Sequence, residues 1–204
     1  MATGMARLVP ANVRSMLDVG CGPGDFAKRV QSALNAEVWG IEPRPDHAET
    51  ARGVLFKVIE GNYQSALPNL PEGYFDLVVF HGALERCVDP EALLRSALPL
   101  LTNNGAILIS ILNFRHWRHF EHLLWRGEFE YVSEGPLDRA NLRFFTQKSI
   151  KGLFKRAGYV VAAVEGLNPS WTRSLRVLNA LTFNRFADCR FAKFAVLARP
   201  LENL

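Results

Sequence analysis

The chain has 204 residues, 49% of them apolar and 22% charged, with a formal net charge of +4 and a pI near 9.1. That length supports one domain, residues 1–204, with a sizeable core, and the mild, dispersed positive charge does not favour a nucleic-acid partner. Cys21, Cys87 and Cys189 are far apart and form no C-x-x-C pair, which argues against a disulfide framework or a structural zinc site and suits a reducing cytoplasm.

Met1 to Val13 is a short mixed lead-in without the apolar core of a signal peptide, and no later run approaches a membrane span. The first organising stretch is Met16 to Asp25, where an apolar strand runs into Gly20, Gly22 and Gly24 and then into a helical pattern from Asp25 to Leu34. Glycine at these positions permits positive φ and lets the backbone touch a ligand, so the turn reads as a nucleoside site. A dinucleotide loop spaces its glycines as G-x-G-x-x-G; here the third comes one residue early, and Asp25 would repel a pyrophosphate at the helix N-terminus. NAD and FAD are therefore disfavoured. S-adenosylmethionine carries a sulfonium and an ammonium, which Asp18 and Asp25 would suit.

Leu17-Asp-Val-Gly-Cys-Gly-Pro-Gly24 resembles the first motif of class I S-adenosylmethionine-dependent methyltransferases. The alternation of strands and helices along the chain implies an α/β, doubly wound, Rossmann-like sheet. The resemblance implies seven strands, mostly parallel with an antiparallel last strand, and a cofactor site that includes Asp18, Gly20, Cys21, Gly22 and Gly24.

The second strand, Glu37 to Glu42, ends in an acid about 20 residues beyond the glycines, where a carboxylate reaches both ribose hydroxyls. A short helix over Asp46–Arg52 and a third strand over Val54–Ile59 follow, then Asn62 and Tyr63. Many similar methyltransferases carry an acid where Asn62 stands; its amide can still contact the adenine amino group, and Tyr63 would stack on or flank the base. The fourth strand, Phe75 to Phe80, delivers His81 to a ligand-facing loop. An imidazole there titrates near neutrality, making His81 a candidate for the cofactor site and the first candidate for a general base, with His116 second.

Ala83 to Pro90 resembles the family's Leu-Glu-His segment, with Arg86 where His is usual and Gly82 where a polar residue is frequent. A helix over Glu91–Leu101, a turn at Asn103-Asn104-Gly105 and a fifth strand over Ala106–Leu112 are expected, closed by Asn113. His116, His119 and His122 drift around a helix by about 60° per step and do not converge on one metal; a basic amphipathic helix over Phe114–Trp125 is the better reading, and no metal is expected. Residues 114–146 are longer than a crossover requires, and their aromatic, charged, irregular part reads as a cover over the acceptor. Leu137 to Thr146 resembles a segment of bacterial methyltransferases linked to sugar or cell-envelope chemistry, usually with His where Asn141 stands. Candidate acceptor-binding residues are Asn113, Tyr131, Arg139, Asn141 and Arg143.

Thr146 caps a further helix ending at Gly158, a sixth strand spans Tyr159–Val164, and a helix over Ser170–Phe186 is expected to pack on the sheet before the last strand, Phe191–Arg199. The expected activity is methyl transfer from S-adenosylmethionine to an oxygen or nitrogen of a small molecule or glycan. Two other classes suit the same residues: a catalytically weak cofactor-binding regulator, from the departures at Asn62, Gly82, Arg86 and Asn141, and an RNA methyltransferase, from the basic balance.

Overall fold

The computed structural model describes residues 3–121, 127, 131, 132, 135 and 137–201. After one helical turn, α1 (Thr3–Ala6), the chain runs β1 (Ser15–Val19), α2 (Asp25–Leu34), β2 (Glu37–Glu42), α3 (Pro45–Arg52), β3 (Lys57–Glu60), α4 (Tyr63–Ala66) and β4 (Phe75–His81). It continues through α5 (Pro90–Ser96), β5 (Leu101–Leu112), α6 (Trp117–Glu121), α7 (Gln147–Arg156), β6 (Tyr159–Pro169), α8 (Arg173–Leu181) and β7 (Phe191–Pro200). The seven strands form one sheet in the order β3-β2-β1-β4-β5-β7-β6. The first five pair in parallel, and β7 is antiparallel to both β5 and β6. The expected Rossmann-like, doubly wound sheet with an antiparallel last strand is present.

Strand periodicity divides the core. Leu17 and Val19 of β1 point to one face with Val78 and Phe80 of β4, against Leu94 of α5 and Phe154 of α7. Met16 points to the other face with Leu77 and Val79, against Phe26 and Val30 of α2. Successive strand residues alternate faces, so Asp18 shares the α2 face with Met16. Winding reverses between β1 and β4, and the carboxyl ends of those two strands form the switch point where open α/β sheets bind ligands.

Several boundaries differ from the sequence-based expectations. The third strand starts at Lys57 because Val54 and Leu55 turn back onto the end of α3, both bonding to the Ala51 carbonyl. The fifth strand begins at Leu101, and the expected turn at 103–105 is a bulge: between Phe75↔Leu101 and Leu77↔Ala106 the partners fall out of step. A Cβ at Gly105 would lie 3.0 Å from the Phe75 carbonyl oxygen, so the bulge needs glycine. The helix expected over Glu91–Leu101 stops at Ser96 and continues as a 3-10 turn over Leu98–Leu100, where Pro99 cannot supply an α-helical N–H. Its start follows from Asp89, whose carboxylate accepts from the N–H groups of Glu91 and Ala92.

Thr146 caps α7 in a capping box with Ser149. The helix expected over Ser170–Phe186 is shorter, capped by Thr172 and ended by Phe183 and Asn184 at positive φ. It does not bury an apolar face on the sheet: Asn179 is its buried residue, while Val177, Leu178 and Leu181 are exposed. The helix expected over 114–125 is described from Trp117 to Glu121; His122 and residues 122–126, 128–130, 133, 134 and 136 of the expected cover lie outside the described residues. Among the described residues no helix is long and apolar enough to cross a membrane, no group of three or more side chains could hold a metal ion, and all three cysteines are free.

Candidate active site

The site grows from the end of β1. Gly20, Gly22 and Gly24 all take positive φ, at 74°, 57° and 92°. A Cβ on Gly20 or Gly22 would meet nothing closer than 3.9 Å, so this backbone borders open space that a ligand can enter. Gly24 is different: its Cβ would lie 2.9 Å from Val54 Cγ2, which makes it a packing residue at the start of α2. Gly24→Ala is therefore expected to destabilise the fold by about 1–3 kcal/mol, through backbone strain and the Val54 contact, as read by urea unfolding.

Glu42, at the tip of β2, is 5% exposed. Its Oε2 accepts from Gly22 N–H at 2.8 Å, and its Oε1 accepts from Arg44 N–H at 3.0 Å. The carboxylate thus braces the glycine turn, while each oxygen keeps a second lone pair for a ligand hydroxyl. Cys21 lies beneath the same turn; burial first, then the Asp18 and Glu42 carboxylates, push its thiol up to about 12, so it is a neutral packing group.

A cavity of about 330 Å³ opens beside the turn, bordered by Gly20, Gly22, Phe26, His81, Ser110 and Lys193. It brings together α2, the tips of β1, β4 and β5, and the antiparallel β7. A larger, open depression of about 730 Å³ lies at the opposite end of the sheet around Arg14, Asp76 and Asn103. There Asp76 is committed to Arg14 N, Ser15 and Thr102, and the depression contains neither the glycine turn nor a histidine. The smaller cavity is the one with chemistry.

Its defining pair is Asp18 and His81. Asp18 is wholly buried, and its Oδ1 lies 2.9 Å from His81 Nε2. The contact is a close charge pair off hydrogen-bond alignment, with Nε2 and both Asp18 oxygens buried. The His81 side chain is 27% exposed, and Phe26 packs edge-on against its ring at 5.1 Å. Burial works against the charged imidazole, but the Asp18 carboxylate outweighs it and holds the His81 pKa above its ordinary 6.5, with Lys193 opposing. Asp18 therefore corrects the sequence expectation: it faces His81, not an open cofactor surface.

Other expected site residues are engaged elsewhere. Tyr63 is buried edge-on against Phe80 with its hydroxyl at Ser96, so it does not flank a base. Asn62 is exposed, and its Oδ1 caps α4 by accepting from Ser65 N–H, which leaves its amide N–H groups for a ligand. Asn113 has no exposed surface; its amide donates to the Asp188 and Phe191 carbonyls and accepts from Arg115 N–H, so it is a bracket between chain segments. His116 is 6% exposed and bonded to Ser170 Oγ at 3.0 Å, away from the cavity, and burial holds its pKa below the ordinary value. Asn141 is buried with its amide on the Gly135 carbonyl, and the Arg143 guanidinium donates to the Val88 carbonyl. Tyr131 and Arg139 are exposed beside a shallow depression of the covering segment.

Sequence reasoning missed Glu85. It is 2% exposed; Oε1 accepts from Leu112 N–H at 2.6 Å at the tip of β5, and Oε2 is buried without a hydrogen-bond partner among the described residues. Burial raises its carboxyl above the usual carboxylate range against the pull of the Leu112 N–H and of Lys193. The signal for it in the sequence is the Leu-Glu-Arg segment directly after β4, where Glu85 stands beside Arg86.

Glu85 also anchors the covering segment: its carbonyl accepts from the N–H groups of Leu142 and Arg143 at 2.7 and 2.9 Å. Arg86 pairs with Asp138 at 3.1 Å. These ties fasten residues 138–143, the C-terminal part of the expected cover, to the loop after β4. Hydrogen exchange should find the Leu142 and Arg143 amides slow in the empty protein and little changed by ligands; fast exchange that slows only with ligand would make this part a mobile cover.

A strand-turn-helix bordering open space, a carboxylate at the tip of β2 and a seven-stranded sheet closed by an antiparallel strand define a Rossmann-like methyltransferase fold. The chain belongs to the methyltransferase-domain family, whose sequence profile matches residues 1–164, and its cofactor is S-adenosylmethionine. It is 28% identical over 162 residues to a ubiquinone biosynthesis O-methyltransferase of Neisseria meningitidis serogroup A, a match covering 76% of this chain and 67% of that protein. Among solved structures it is similar to a SAM-dependent methyltransferase from Archaeoglobus fulgidus, at a TM-score of 0.70 and 19% identity, covering 95% of this chain and 90% of that one. It is also similar to a Burkholderia thailandensis 1,6-didemethyltoxoflavin-N1-methyltransferase bound to its acceptor and S-adenosylhomocysteine, at a TM-score of 0.61 and 16% identity, covering 98% and 75%.

Proposed function

We propose that the chain methylates a hydroxyl oxygen of a small molecule, with Glu42 and the glycine turn holding the cofactor and His81 receiving the acceptor proton. The observation that carries this reading is His81, which borders the same cavity as the glycine turn and is backed by the buried Asp18 carboxylate at 2.9 Å. When bound, the cofactor supplies an already activated methyl group, so positioning of the acceptor provides most of the rate and a base adds to it. Asp18 orients the ring through Nε2, and the more exposed part of the imidazole faces the space where an acceptor can enter. In the neutral ring Nε2 carries the proton toward Asp18, leaving Nδ1 as the acceptor of the second proton.

The Neisseria relative is named as an O-methyltransferase, which agrees with oxygen, and the Burkholderia neighbour holds a small heterocycle, which agrees with a small acceptor in this fold. The departures that prompted the idea of a weak regulator have structural occupations here: Arg86 in the Asp138 pair, Asn141 on the Gly135 carbonyl. The test incubates the protein with S-adenosylmethionine and matched small phenols and anilines, following S-adenosylhomocysteine and product mass. Transfer to phenols supports the proposal. Transfer confined to anilines moves the acceptor atom to nitrogen, and tight S-adenosylhomocysteine binding without transfer to any acceptor favours the regulator.

A further inference from the structure

The connection from β6 to β7 presents an apolar surface that the fold does not cover. On α8, Val177 and Leu181 stand 60% and 74% exposed on one stripe, and Phe183, in the turn that follows, is 93% exposed. Helical spacing puts Val177, Leu178 and Leu181 on the solvent side while Asn179 faces inward. Hydrogen bonds hold the element in place. Asn179 donates to Asn184 Oδ1 at 2.9 Å and accepts from Phe186 N–H at 3.0 Å, and Arg115 ties the segment to β5's end through Asp188 at 2.9 Å and the Arg185 carbonyl at 3.1 Å.

Charge decides what such a surface fits. Arg173, Arg176 and Arg185 are exposed, and among the described residues none of them forms an ion pair. Asp188 is the segment's acid and is already spent on Arg115. An apolar stripe flanked by uncompensated arginines matches the boundary between acyl chains and anionic headgroups. A second copy of this chain would oppose the same arginines to one another across a two-fold axis.

We propose that residues 172–186 dock on the surface of an anionic lipid bilayer, with α8 lying in the interface plane and Leu181 and Phe183 inserted below the headgroups. Leu167 and Asn168, which line the cavity beside the glycine turn, lie near the end of β6, with residues 169–171 between them and this element, so docking couples the cavity wall to the bilayer. The inference does not depend on the acceptor's identity.

Co-sedimentation of the full chain with vesicles of phosphatidylglycerol and phosphatidylcholine, against phosphatidylcholine alone, tests it. The protein should pellet with the anionic vesicles and release as salt rises. Leu181→Ser with Phe183→Asn should weaken binding by on the order of tenfold or more; asparagine accommodates the positive φ of 52° at position 183. Arg173→Gln with Arg176→Gln should weaken it by roughly tenfold or more. Circular dichroism and S-adenosylhomocysteine affinity should be unchanged in both, since neither pair touches the cofactor turn. Equal pelleting of parent and variants, or no preference for anionic vesicles, overturns the proposal. So does self-association that the apolar variant abolishes without any lipid binding, which would give the surface to a second copy.

Discussion

His81→Gln is expected to slow methyl transfer by about 10²–10⁴-fold while leaving S-adenosylhomocysteine affinity nearly unchanged. Glutamine is the informative replacement because it keeps a polar amide N–H group beside the buried Asp18 but cannot take up a proton. His81→Ala should lose transfer too, but it strands a buried carboxylate, a change that costs about 3–5 kcal/mol of stability. The pH dependence carries a second signature. The His81 pKa is raised in the folded chain, so the neutral ring accumulates, and activity climbs, only as pH passes through that raised value. Stability runs the other way: the Asp18–His81 attraction contributes fully below the unfolded pKa of about 6.5 and is lost as pH rises through the folded one. Parent and His81→Gln should therefore differ in an acidic limb of activity and in a stability slope of opposite sign. Full transfer by His81→Gln with an unaltered pH profile would leave His81 a loop residue.

Glu42→Ala should weaken binding of S-adenosylhomocysteine by about 1.5–3 kcal/mol, the scale of lost charge-assisted hydrogen bonds. In affinity this is roughly ten- to 150-fold by calorimetry. Two losses combine: the acceptor for the ribose hydroxyls, and the brace between Oε2 and Gly22 N–H that shapes the turn. Glu42→Gln separates them, because an amide oxygen can still accept from one backbone N–H but carries no charge. Unchanged affinity in Glu42→Ala would remove Glu42 from the ribose site and leave it a structural brace.

The departures from sequence expectation share a cause. Polar residues that follow strand ends or interrupt an irregular segment, as Asn113, His116, Asn141 and Arg143 do, read in the sequence as acceptor-binding or catalytic. In the folded chain each satisfies a backbone or side-chain partner of another segment, as Asn113 does with the Asp188 and Phe191 carbonyls. An irregular connection has many backbone groups outside the sheet ladder, and buried ones must find partners. Side-chain amides and guanidinium groups supply them, and this demand is invisible in one dimension. Glu85 shows the converse: an acid inside a loop motif proved to be buried at the tip of β5.

What the amino-acid sequence determined by itself was whatever depends on neighbours along the chain. The positive-φ turn at Gly20, Gly22 and Gly24, the short apolar runs of β1 and β4, the caps at Asp89 and Thr146 and the acid ending β2 all arise from local steric and hydrogen-bonding rules. Tertiary structure decided everything that joins distant segments. It placed Asp18 against His81, 63 residues further on, because β1 and β4 are adjacent parallel strands whose tips coincide. It also left the apolar stripe of α8 in solvent, where periodicity alone predicted burial. Periodicity says which side of a helix is apolar; only the packed neighbours determine what that side faces.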